Sequence, residues 1–156
     1  MKKFIVLVMA IAVIMTAGNA LAATTNGTFD VTASVAAACS ISASPDIAFG
    51  AYDPTGGDVS ASGTLQFSCT KNTSYDITID ATRQMTGGTY SDTLSYEVYY
   101  EGAHTNAWAS STGNANGQGT TSSNATQSKT VYGLIAGGQD VSVDSYSQTI
   151  GIHINF

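Results

Sequence analysis

Thr28-Phe29-Asp30-Val31-Thr32-Ala33-Ser34-Val35-Ala36-Ala37-Ala38-Cys39-Ser40-Ile41-Ser42-Ala43 is the stretch whose reading decides the fold. Phe29, Val31, Ala33, Val35, Ala37, Cys39, Ile41 and Ala43 are apolar, and Thr28, Asp30, Thr32, Ser34, Ser40 and Ser42 between them are polar. That period of two belongs to an extended strand with one buried face. At about 3.3 Å per residue the run is on the order of 50 Å long, roughly two to three times a usual strand. A small sandwich cannot hold it whole, which leaves two readings. Either a kinked first strand crosses between two sheets, or residues 37 to 44 belong to the body and residues 28 to 36 form an amphipathic arm that seeks an open sheet edge.

Toward the N-terminus, Lys2 and Lys3 precede the apolar run from Phe4 to Met15, followed by Thr16, Gly18, Asn19 and the small-residue site Ala20-Leu21-Ala22. This reads as a secretory signal peptide over 1 to 22, with the mature chain starting at Ala23. The run is too short to span about 30 Å of hydrocarbon, and no later stretch is longer, so no transmembrane segment is expected. Removing the signal from 156 residues leaves enough chain for one domain. Charged residues make up 10% of the sequence, well under the roughly 25% of an ordinary soluble domain. Beyond the signal only Lys71, Arg83 and Lys129 oppose 11 acidic residues. Such a surface excludes nucleic acid as a partner and disfavours anionic membranes, because both are bound through clustered Lys and Arg.

Export places Cys39 and Cys69 in an oxidising compartment, where a disulfide is the expected state. Closing that loop contributes about 3 to 4 kcal/mol in the chain-entropy model. A metal or redox pair is the rival reading, but the CxxC spacing and a nearby His are missing.

Downstream, alternation recurs between Gly, Asn and Asp turn signals, and no apolar pattern at 3.6 spacing appears, so the domain is all-β. Strands are expected at 63 to 70 (Leu65, Phe67, Cys69 inward), 75 to 82 (Tyr75, Ile77, Ile79, Ala81), 93 to 101 (Leu94, Tyr96, Val98, Tyr100), 129 to 136, and 147 to 156 (Ile150, Ile152, Ile154, Phe156). Ser110 to Ser128 carries nothing apolar larger than Ala and reads as a long solvated loop. With the Cys39 strand this makes six, where an immunoglobulin-like sandwich needs about seven. A six-stranded version leaves an apolar groove, and a second copy's arm in that groove would give an open head-to-tail polymer.

Phe49-Gly50-Ala51-Tyr52-Asp53-Pro54, Phe67-Ser68-Cys69-Thr70, Arg83-Gln84-Met85, Leu94-Ser95-Tyr96-Glu97-Val98-Tyr99, Trp108 and the ending from Tyr146 to Phe156 together resemble the spore coat protein U family. Subunits of archaic chaperone-usher pili belong to that family, and the resemblance covers essentially all of the mature chain. It implies an incomplete immunoglobulin-like fold, completed by the N-terminal donor strand of the next subunit. On these residues, it implies a donor arm over 23 to 36 with Phe29, Val31, Ala33 and Val35 as its plugs, a pilin body over 37 to 156, and a Cys39 to Cys69 disulfide. It further implies a periplasmic chaperone that pairs with the strand of Ile150, Ile152, Ile154 and Phe156, an outer-membrane usher, neighbouring copies of the same chain, and tip or adaptor subunits. The implied role is structural, a pilus-building subunit for surface attachment and biofilm formation, with no cofactor.

Chemistry of an enzyme is not visible. His104 and His153 stand alone, no nucleophile elbow or phosphate loop is present, and Asp53 and Asp58 flank what reads as a solvated turn. Arg83 reads as a buried cation paired with an acid, Tyr52-Asp53-Pro54 as a turn, and Trp108 as a core or rim aromatic. The alternative function is a tip adhesin or a saccharide-binding sandwich, with Tyr90, Tyr99, Tyr100 and Trp108 as its ligand face.

Overall fold

In the computed structural model the alternating run becomes a ladder only at Cys39, and residues 23 to 38 belong to no strand. A first strand crossing between sheets therefore does not form. Residues 23 to 156 are described, and the expected export signal lies outside the described residues. The compact unit runs from Val35 to Phe156.

Its strands are β1 (Cys39–Ala43), β2 (Val59–Cys69), β3 (Ser74–Ile79), β4 (Gln84–Gly87), β5 (Thr93–Ser95), β6 (Glu97–Tyr99), β7 (Gln118–Thr120), β8 (Gln127–Ile135), β9 (Tyr146–Ser147) and β10 (Ile152–Asn155). They form an all-β sandwich of a four-stranded sheet in the order β1-β2-β8-β6 and a three-stranded sheet β10-β3-β7, with a small sheet β5-β4-β9 beside them. All pairs are antiparallel. Cys39 lies opposite Cys69 in the β1–β2 register, and the two are joined by a disulfide with an S–S distance of 2.04 Å.

The core is the alternation made physical. Leu65, Phe67 and Cys69 of β2 face Tyr75, Ile77 and Ile79 of β3, with Val98, Trp108 and Val131 between. Fully burying each of the larger side chains stabilises the fold by about 1.5 to 3 kcal/mol. β3 is more deeply placed than its pattern suggests, since Asp76 and Thr78 on its other face are also buried.

Ten short strands replace the six expected, for physical reasons. The 93 to 101 run splits at Tyr96, whose N–H turns to the Arg83 carbonyl at 3.1 Å, so β5 pairs with β4 and β6 with β8. Leu94 and Val98 stay inward on both sides of the break, so the period of two gives no sign of it. The run 147 to 156 divides likewise into β9 and β10, which lie in different sheets. Ala81 lies beyond the end of β3 and is exposed.

The largest departure is β7, inside the stretch expected to be a solvated loop. A Cβ on Gly119 would meet the Tyr75 hydroxyl at 2.4 Å, so only glycine lets β7 lie against that ring. Thr121, just after it, is buried and donates its hydroxyl to the Thr70 carbonyl at 2.7 Å. The strand is built from backbone pairing and glycine clearance rather than from apolar side chains, and hydropathy cannot signal that.

Candidate functional site

β1 and β10 are edge strands of the two larger sheets. β1 pairs with β2 and β10 pairs with β3, and among the described residues nothing pairs with their outer edges. Between the chain that follows β1 and the chain that leads into β10 lies a cleft of about 330 Å³. Ile47 and Phe49 line one side, Ile150 and Ile152 the other, with the buried Ile79, Val98 and Val131 beneath. A second cleft of about 580 Å³ shares Ile47, Phe49 and Met85 with the first and continues past Tyr52 and Pro54 to Leu94, Ile135, Val141 and Val143. The two clefts share that wall and together form one channel, whose lining runs from the buried Leu94 and Ile135 through the half-buried Ile47, Phe49, Met85 and Val141 to the exposed Pro54 and Val143.

Local chemistry sets this channel in place. Phe49 rests on β8 at Gly133, where an added Cβ would lie 2.6 Å from its ring, and it packs on Tyr96 with ring centroids 5.9 Å apart. The expected turn at Tyr52-Asp53-Pro54 is present. Asp53 accepts the Thr55 hydroxyl and N–H at 2.8 Å each, which holds its carboxyl below the usual range. Tyr52 donates its hydroxyl to the Ala136 carbonyl at 3.1 Å and accepts the Gln139 N–H at 2.8 Å, tying this segment to the end of β8.

Arg83 is buried and paired with Glu97, as its sequence context suggested. It also donates to the carbonyls of Trp108 and Asp80. Burial pulls its guanidinium below the ordinary value, with the neighbouring tyrosines opposing that shift. Trp108 in turn donates its backbone N–H to the Val98 carbonyl at 2.9 Å, so the Arg83 cluster is tied to a strand that lines the cleft.

The arm residues named from the sequence stand free of packing, with Phe29 87%, Val31 83% and Val35 82% exposed, and Ala33 also exposed. Ile150, Ile152 and Ile154 are half-buried against the core, whereas Phe156 is 61% exposed and leaves the face they share. Trp108 is 2% exposed and lies over Tyr100 with centroids 3.9 Å apart, so it cannot present a ring to a saccharide beside Tyr90 and Tyr99. His153 contacts Asp80 at 3.2 Å and His104 packs edge-on against Tyr99. Asp58 is engaged by the Gly137 N–H. No group of three His, Cys, Asp or Glu is placed to hold a metal among the described residues, and none of their helices is long and apolar enough to cross a membrane.

The channel itself was not read from the sequence residue by residue. Phe49 appeared in a quoted motif, but Ile47, Met85 and Val141 carry no periodic signal because they sit in connecting segments and a short strand. Physically, the channel suits an extended chain that presents apolar side chains at alternate positions, with the outer edge of β10 free for main-chain pairing.

A family model described as Spore Coat Protein U domain matches residues 25–153. A search of curated proteins gave no match. Among solved structures, the fold is similar to a chain in the crystal structure of the CsuC-CsuE chaperone-tip adhesion subunit pre-assembly complex from archaic chaperone-usher Csu pili of Acinetobacter baumannii, with a TM-score of 0.54 and 17% sequence identity. That similarity covers 78% of this chain and 40% of the other.

Proposed function

Because the chain belongs to the Spore Coat Protein U domain family, we propose that it is a structural, non-enzymatic subunit of an archaic chaperone-usher pilus, the rod-building subunit of a Csu-type fibre. Residues 23 to 36 are its donor arm and 37 to 156 its incomplete pilin body. Phe29, Val31, Ala33 and Val35 of one copy fill the channel of the next. A periplasmic chaperone occupies the channel first, along the strand of Ile150, Ile152 and Ile154, and an outer-membrane usher hosts the exchange. The product is exported through the periplasm and displayed as a fibre that serves surface attachment and biofilm formation, capped by tip or adaptor subunits.

One observation carries this reading: the same chain holds an open channel and an exposed stretch whose apolar residues alternate. A complete sandwich would have neither. A rod subunit must both give and receive a strand, which is why both features in one chain favour the rod over the tip.

The test uses the oxidised chain lacking residues 23 to 36 and a synthetic peptide covering Asn26 to Ala37. Peptide binding should raise the thermal midpoint by about 4 to 8 °C per kcal/mol of stabilisation. Val31→Asp with Val35→Asp in the peptide should abolish the rise. A truncated chain that is already stable and does not respond to peptide would refute the proposal.

A further inference from the structure

The body's one exposed described cation and a group of its carboxylates stand at opposite ends, while Asp46 at Gly63 and Asp80 at His153 are exposed elsewhere. At one end are the Cys39–Cys69 disulfide, the turn at Lys71 and Asn72, and the root of the arm, whose Ala38 carbonyl accepts the Thr70 N–H at 2.8 Å. Lys71 is exposed there beside Ser122, Ser123 and Asn124. Of the other described cations, Arg83 is buried on Glu97, and Lys129 is half-buried and turned to the Asn116 carbonyl. Lys71 is therefore the one described cation left exposed without a carboxylate.

The other end of β2 begins at Val59, opposite Ile135. Five carboxylates surround it. Asp53 and Asp58 are in the turn against Gly137, Asp140 follows Gln139, and Asp92 and Asp144 fasten the loops at Ser142 and Thr89. The channel opens at this end, since Pro54, Val143 and Asp144 line its second part. The 11 residues of β2 put the ends roughly 35 Å apart, several times the Debye length of about 8 Å at physiological salt. Within one copy the two ends do not neutralise each other.

We propose that the acidic end of each copy is an electrostatic docking surface for the Lys71 end of the next copy, in addition to the strand exchanged between them. This rests on the donor-arm reading and extends it. The arm leaves the body at the Lys71 end, so a copy that extends the polymer in line must send its arm into the neighbour's channel from the opposite, acidic end. Entry at the root end would crowd both arms at one place and stop growth. Insertion then brings Lys71 of the incoming copy to the acidic loops, a juxtaposition of opposite charges that steers encounter and is screened by salt.

Polymer growth of the mature chain, followed by light scattering at about 20 mM and about 0.5 M NaCl, tests this, because the Debye length falls from about 20 Å to about 4 Å between them. Lys71→Glu should slow growth on the order of five-fold at low salt and change nothing at high salt. Combining Lys71→Glu with Asp140→Lys should restore growth at low salt. The peptide of residues 26 to 37, which has no Lys71, should block growth of the wild type and of Lys71→Glu at the same concentration. Equal growth of the wild type and Lys71→Glu at both salts, with the peptide still blocking, overturns the docking surface and leaves the donor arm standing. A wild-type chain that neither polymerises nor responds to peptide overturns both.

Discussion

Arg83→Met tests the link between the core and the channel. Arg83 satisfies the buried carbonyl of Trp108 and the part-buried carbonyl of Asp80, and pairs with Glu97, whose side chain is 40% exposed. Methionine keeps much of the apolar stem but leaves both carbonyls without a donor. Losing the charge-assisted bond to the buried Trp108 carbonyl costs about 1.5 to 3 kcal/mol, and the part-exposed Glu97 left behind adds little because solvent screens its charge. About 2 to 3 kcal/mol is therefore the expected destabilisation. Glu97→Gln should cost only about 1 kcal/mol, because a part-exposed carboxylate is already screened by solvent and the guanidinium keeps its carbonyls. Urea unfolding of the chain lacking residues 23 to 36 measures both, with Trp108 fluorescence as the probe. Since Trp108 holds Val98, Arg83→Met should also weaken binding of the arm peptide, and Glu97→Gln should not. Equal losses for the two variants would show that the ion pair, not the carbonyl network, carries the energy. A loss under about 1 kcal/mol for Arg83→Met would refute the argument.

Two further outcomes follow from the channel and its loops. Gly133→Ala places a methyl within 2.6 Å of the Phe49 ring and 3.0 Å of Ile47, so it should destabilise the body by about 1 to 3 kcal/mol and lower peptide affinity by shifting Phe49 in the channel. Chemical denaturation and peptide titration measure the two effects separately. The Asp144 carboxyl is lowered first by the Thr89 N–H, with the Tyr90 and Ser145 N–H groups adding, and Asp92 is lowered by Ser142. A folded pKa below the unfolded value of about 3.9 gives stability that is complete above it and is lost as pH falls through the folded pKa. Thermal midpoints should therefore drop below about pH 4, and Asp144→Asn should flatten that acid limb.

The legible parts of this fold were those governed by side-chain period. Leu65, Phe67 and Cys69, and Tyr75, Ile77 and Ile79, declared their inward face, and all six are buried. The disulfide was legible from compartment and count. Pairing was harder to see. The break at Tyr96 is decided by a main-chain hydrogen bond to Arg83, and that after Ser147 is marked by the Gln148 side chain, which bonds the Gln84 N–H and the Thr82 carbonyl, while inward residues continue in phase across both. β7 was hidden because Gly117 and Gly119 contribute by lacking side chains. The channel was legible only as a missing strand. Its lining comes from separated connecting segments such as Ile47 and Val141, which topology brings together and no local window can join.

An exposed arm and an open channel each carry a cost that the other removes. Phe29, Val31 and Val35 stand in water, and burying each would release about 1.5 to 3 kcal/mol. Ordering the arm's backbone opposes this by about 1 to 2 kcal/mol per residue. Apolar burial of three side chains, about 4.5 to 9 kcal/mol, covers only about half of the roughly 9 to 18 kcal/mol of entropy lost by a nine-residue segment. The proposed exchange therefore needs two further contributions, which are the ladder along the free edge of β10 and the burial of the half-exposed Ile47, Phe49, Ile150 and Ile152 on the channel side. A peptide that keeps Val31 and Val35 but has N-methylated backbone amides facing β10 separates the two. If binding survives methylation, side-chain burial suffices. If it is lost while the apolar face is intact, the main-chain ladder supplies the margin, as the shortfall of side-chain burial against ordering entropy requires.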